Sequence, residues 1–116
     1  MVSEVERMIT LEKEFIVTDP EITVIKRDGR RLPFDSDKIY QALIKASQNV
    51  SNMSPLMEAK LKGICDRIVA EIANRFMADI KIYEIQSIVE HELLNANEYA
   101  IAQEYINYRT QRDFAR

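Results

Sequence analysis

The chain has 116 residues, 47% apolar and 30% charged. That size suits one domain, and the balance excludes an intrinsically disordered chain. No run approaches the roughly 20 consecutive apolar residues of a membrane-spanning helix, so no membrane association is expected. The start, Met1-Val2-Ser3-Glu4-Val5-Glu6, is acidic and lacks the basic and apolar blocks of a secretory signal. A single cysteine, Cys65, excludes an intramolecular disulfide and a zinc site built on several thiolates. A reducing, cytoplasmic setting is therefore expected. Two glycines and three prolines predict few turns and long elements, mostly helical.

The net charge of -3 is unevenly spread. Residues 1–21 carry two basic and six acidic side chains, and residues 22–45 carry six basic and three acidic ones. A small cationic patch on an acidic protein argues against nucleic acid, which prefers a large positive field. It suits a compact anionic ligand better.

Residues 1–21 read as an acidic N-terminal extension closed by Pro20, and the domain proper as 22–116. Ile22 to Arg27 is β-branched and predicts a strand. Asp28-Gly29 follows, a pair favoured in two-residue hairpin turns. Arg30 to Phe34 is the returning strand, with Pro33 marking it as an edge. A two-residue turn pairs Ile25 with Leu32. It puts Thr23, Ile25, Leu32 and Phe34 on one face and Val24, Lys26 and Arg31 on the other.

Asp35-Ser36 supplies cap chemistry for a helix whose stripe is Ile39, Leu43, Ile44 and Ala46, ending near Asn49. Ser54-Pro55 starts the longest helix, running to about Ala78. Leu61, Ile64, Cys65, Ile68, Val69, Ile72 and Phe76 recur on it at three and four residues. Asp79 to Ile82 predicts a short third strand. Tyr83 opens a helix with Ile85, Ile88, Val89, Leu93 and Leu94 inward, and Asn97 is read as the cap of a last helix. That helix buries Ala100, Ile101, Tyr105 and Tyr108 and runs out without a breaker, as a domain of a longer protein would. The expected fold class is α+β: a bundle of about four helices capped by a small sheet, a hairpin plus a third strand.

Several chemistries lack their residues. No glycine-rich phosphate loop is present. His91, the one histidine, sits between Glu90 and Glu92 in mid-helix and reads as structural. Cys65 lies on an apolar stripe and reads as a buried, inert thiol. No reaction centre assembles, so the chain is not expected to be an enzyme by itself.

What remains is a set of cations. Lys26 and Arg27 precede a tight hairpin, and Lys38 lies one turn into the next helix. A hairpin folded over that helix brings them towards one point, where the helix N-terminus adds N–H groups and partial positive charge. Such a site offers a triphosphate point charges and a forked donor. Val24 and Ile82, from adjacent strands, could wall a nucleobase. Exposed hairpins also carry Lys and Arg for solubility and edge protection, and spacing alone leaves that alternative open.

The run Val24-Ile25-Lys26-Arg27-Asp28-Gly29, with Phe34-Asp35-Ser36-Asp37-Lys38-Ile39, resembles the ATP-cone domain, a nucleotide-binding regulatory module of many ribonucleotide reductases. The resemblance continues through Ile80 to Gln86 and Tyr99 to Arg112, covering about residues 22–114. The closing stretch from Glu98 to Phe114 is most similar to the anaerobic, glycyl-radical ribonucleoside-triphosphate reductase. The aerobic, iron-dependent reductase is the main competitor. A third relative, a transcriptional repressor of reductase genes, carries a zinc ribbon ahead of the cone. It is set aside because this chain has no such cysteines.

The resemblance implies a pocket between sheet and helices that takes ATP, which activates, or dATP, which inhibits, usually through altered oligomeric state. Mg²⁺ would arrive with the phosphates. Partners would be adenine nucleotides, the catalytic domain of the parent reductase and neighbouring subunits. Position by position, Val24 lines the base side, and Lys26, Arg27 and Lys38 hold phosphates, with Arg31 added from the hairpin. Ile82 and Gln86 lie near the base or sugar. Tyr108, Arg109, Gln111 and Arg112 are the contribution of the last helix. Some family members place histidine at Tyr108 and lysine at Gln111, so Arg109 or Arg112 is expected to substitute in phosphate contact. The alternative from another class is a protein-interaction or assembly domain without nucleotide binding.

Overall fold

A computed structural model describes residues 19–114, with side chains up to Arg109 in the last helix. Most of the acidic extension lies outside the described residues. Three short strands, β1 (Thr23–Ile25), β2 (Arg31–Pro33) and β3 (Asp79–Lys81), form one sheet in the order β2-β1-β3. Four helices complete the fold: α1 (Ser36–Gln48), α2 (Pro55–Arg75), α3 (Ile82–Asn95) and α4 (Tyr99–Phe114). The fold is therefore α+β and mainly helical, as expected.

The hairpin register departs from expectation by one residue. Val24 pairs with Leu32 and Ile25 with Arg31. Lys26 N–H donates to the Arg30 carbonyl at 2.8 Å, and Gly29 N–H to the Lys26 carbonyl at 2.9 Å. The loop is thus Arg27-Asp28-Gly29, with Gly29 at φ 88°, the three-residue hairpin whose last position favours glycine. A slip of one residue exchanges faces. Leu32 and Phe34 join Val24 on the helix-facing side, and Arg31 moves with Thr23 and Ile25 to the other.

Asp35 caps α1, its carboxylate accepting from Asp37 N–H at 3.0 Å. Ser54 caps α2, accepting from Met57 N–H at 3.1 Å, with Pro55 at the first position. That helix stops at Arg75, short of Ala78, because Phe76 turns extended and leads into β3. Parallel pairing of Val24 with Ile80 then makes β1 the central strand. Ile82 opens α3 and does not extend β3. Glu84 accepts from the Lys81 N–H at 3.0 Å, the reciprocal half of a capping box.

Asn97 has a different role from the one its side chain suggested. It sits at φ 62°, its N–H donating to the Leu94 carbonyl, while Glu98 N–H donates to the Leu93 carbonyl. That is a left-handed cap closing the C-terminus of α3, not the start of α4. Leu94 (45% exposed) and Ala100 face outward, contrary to expectation. Ile101, Ala102 and Tyr105 carry the buried side of α4. The core joins Leu43, Leu61, Ile64, Ile68, Ile72, Leu93 and Ile101 from the helices to Val24 and Ile80 from the sheet.

Candidate functional site

A cleft opens between the sheet and the helices, holding about 1010 Å³ with its mouth included. Each wall has a local cause. The corrected hairpin register turns Val24, Leu32 and Phe34 inward as an apolar floor, and the same alternation brings Lys26 to the cleft. Arg27 reaches in from the hairpin loop. The first two turns of α1 contribute Lys38, Ile39 and Ala42, spaced to share one face. Ile82, Ile85 and Gln86 do the same at the start of α3. The far wall is α4, with Tyr105, Tyr108 and Arg109.

The structure therefore brings Val24, Lys26, Arg27, Lys38, Ile82, Gln86, Tyr108 and Arg109 together. Arg31 is not among them. It lies on the opposite sheet face, 3.3 Å from Asp79, as the shifted register requires. The side chains of Gln111 and Arg112 lie outside the described residues. Tyr105 was legible only as a core position, and Asp35 only as a cap; both also line the cleft.

The α1 N-terminus is not an open anion site. Ser36 N–H donates to Asp19 at 2.9 Å, and Asp37 N–H to Asp35. These carboxylates already satisfy donors that were expected to face a ligand. Among the described residues no carboxylate pairs with Lys38 within ion-pair distance. Arg27 donates to the Gln86 carbonyl oxygen at 3.4 Å, which leaves the Gln86 amide N–H groups available elsewhere. Lys45 stands over the Tyr108 ring at 5.9 Å, on the α1 side.

Arg109 is held by Glu90, which accepts from Nη2 at 2.6 Å and from Nε at 2.8 Å on the same oxygen. Tyr105 lies nearby. Burial first, then the Glu90 charge, push its phenol up to about 12, against a smaller opposing effect of Arg109. Cys65 is buried in the core, and burial pushes its thiol up to about 11. His91 is exposed on α3.

Comparison with known proteins matches residues 22–114 to the ATP cone domain. The chain is 40% identical to the anaerobic ribonucleoside-triphosphate reductase of Haemophilus influenzae, over 80% of this chain and 13% of that protein. It is 31% identical to the ribonucleoside-diphosphate reductase subunit alpha of Chlamydia pneumoniae, over 83% of this chain and 10% of that protein. It is 34% identical to the transcriptional repressor NrdR of Pelotomaculum thermopropionicum, over 93% of this chain and 61% of that protein. The chain thus spans a small part of the two reductases and under two thirds of the repressor. Setting the repressor aside on cysteine content finds no support in these similarities. With the match running from the first strand through the last helix, this chain belongs to the ATP-cone domain family.

Proposed function

We propose that the cleft binds an adenine nucleoside triphosphate, ATP or dATP, and that occupancy regulates a larger reductase. The observation that supports this is the convergence of Lys26, Arg27, Lys38 and Arg109 on a cleft whose floor and α3 wall are apolar. A cleft lined both by cations and by apolar side chains such as Val24 and Ile82 suits a ligand with a charged tail and a flat base. Gln86 lies one turn beyond Ile82 and offers amide donors where a ribose or base edge would meet α3.

The ligand would act by linkage. A nucleotide shifts a conformational equilibrium only by its differential affinity for the two states. ATP and dATP differ at one hydroxyl, so discrimination must arise near the sugar, not at the phosphates. Among the described residues no group of three or more His, Cys, Asp and Glu side chains converges. A divalent cation would accordingly be held mainly by the phosphates, with Asp35 as the carboxylate on the cleft wall.

Calorimetric titration with ATP and dATP tests the reading. Binding that also raises the melting temperature supports it, since saturation at a hundredfold excess over Kd is worth about 2.7 kcal/mol. No heat and no thermal shift with either nucleotide would favour an assembly domain without nucleotide binding.

The repressor relatives, matching 93% of this chain, support a second reading of the parent as a transcriptional regulator. An antibody against this domain separates the two by the mass of the native polypeptide. A reductase parent would be several times longer than this chain, a repressor less than twice as long.

A further inference from the structure

Arg109 stands between two places for an anion. It lines the cleft, and its Nε and Nη2 are both spent on one oxygen of Glu90. Glu90 belongs to α3 and Arg109 to α4, so the pair ties the last helix to its neighbour. Glu90 itself does not line the cleft. The two side chains are 22% and 27% exposed, so water reaches the pair, and breaking it costs less than in a dry core.

A guanidinium carries one charge. Glu90 neutralises it and occupies its Nε–Nη2 edge, the edge that best forks onto an oxyanion. A phosphate in the cleft must either take the remaining donors of a neutralised group or pull Arg109 away from Glu90.

We propose that Glu90 is a built-in competitor for the cleft's anion, holding Arg109 until a phosphate group draws it off and loosens α4 from α3. This rests on the phosphate-binding reading above and extends it. Glu90 sets the affinity of the cleft, and the Arg109–Glu90 pair converts occupancy into a change at the last helix.

The test titrates inorganic tripolyphosphate and ATP separately into the wild-type chain, Glu90→Gln, Arg109→Ala and the double variant. Glutamine keeps an acceptor for Arg109 and removes the charge, so Glu90→Gln should bind both probes about three- to tenfold tighter. Arg109→Ala should bind several-fold weaker, and the Glu90→Gln gain should vanish in the double variant. Unchanged or weaker binding in Glu90→Gln overturns the inference, as does a gain that survives without Arg109. Glu90→Ala, with the same expected sign, guards against an artefact of the amide. A gain for tripolyphosphate with no ATP binding sustains the competitor and sinks the nucleotide reading. ATP binding without the gain does the reverse, and no binding of either probe sinks both.

Discussion

Val24 lies directly opposite Leu32 across the hairpin, and the two share the sheet face that floors the cleft. This pairing exists because the turn uses three residues, with Gly29 at φ 88° as the third. Apart from its chain neighbours, no atom of the described residues lies within 4 Å of where a β-carbon on Gly29 would stand. The cost of Gly29→Ala is therefore conformational and not steric crowding. It should destabilise the domain by about 1 kcal/mol, read as a lower urea midpoint with an unchanged slope.

Two basic positions that look alike in the sequence fall on opposite sides of the sheet. Lys38 lines the cleft, while Arg31 pairs with Asp79 on the far face. Lys38→Ala should weaken ATP and dATP binding by about 1–3 kcal/mol, the scale of a charge-assisted contact. Arg31→Ala should leave calorimetric affinity within about twofold. Equal losses in both variants would mean a diffuse field and not a localised site.

Ser47 is fully buried near the end of α1, and its hydroxyl has no hydrogen-bond partner among the described residues. An unmade bond in the interior costs about 1–3 kcal/mol. Ser47→Ala deletes the oxygen with little loss of packing. It should be neutral to stabilising, by up to about 1 kcal/mol, and chemical denaturation of the two proteins side by side measures it.

Alkaline pH should unfold the domain through two buried acids. Tyr105 is pushed up to about 12 and Cys65 to about 11, each chiefly by burial. Both hold their protons more tightly when folded, so their stabilising contribution is complete below the unfolded values of about 10 and 8.5–9. It falls as pH rises through the folded ones. For Tyr105 alone the loss approaches about 2–3 kcal/mol by pH 12. Tyr105→Phe should flatten the stability profile above pH 10. In the native protein Cys65 should react with a thiol reagent only as fast as the chain opens.

Much of this was legible in residue order because it is local. The α2 stripe from Leu61 to Ile72, the Ser54-Pro55 start and the Asp35 cap all follow from neighbours within a turn or two. The errors share a cause as well. Asp28-Gly29 fits either a two- or a three-residue hairpin loop, and only the pull of Phe34 and Leu32 towards the helices selects the latter. Asn97 suits either a helix start or a left-handed stop. For the site, cation spacing pointed to Lys26, Arg27 and Lys38. It could not show that Asp19 reaches the Ser36 N–H, or that Glu90 grips Arg109, since neither pair shares an element.

The central strand takes its two partners from very different distances along the chain. β2 returns through a loop that closes within microseconds, whereas β3 arrives only after α1 and α2 have been laid down. Closing so long a segment is entropically slow, and α4, the far wall, comes later still. During synthesis the pocket has no back until Arg109 has left the ribosome. A nascent chain of this domain would gain the proposed nucleotide site only in that late step.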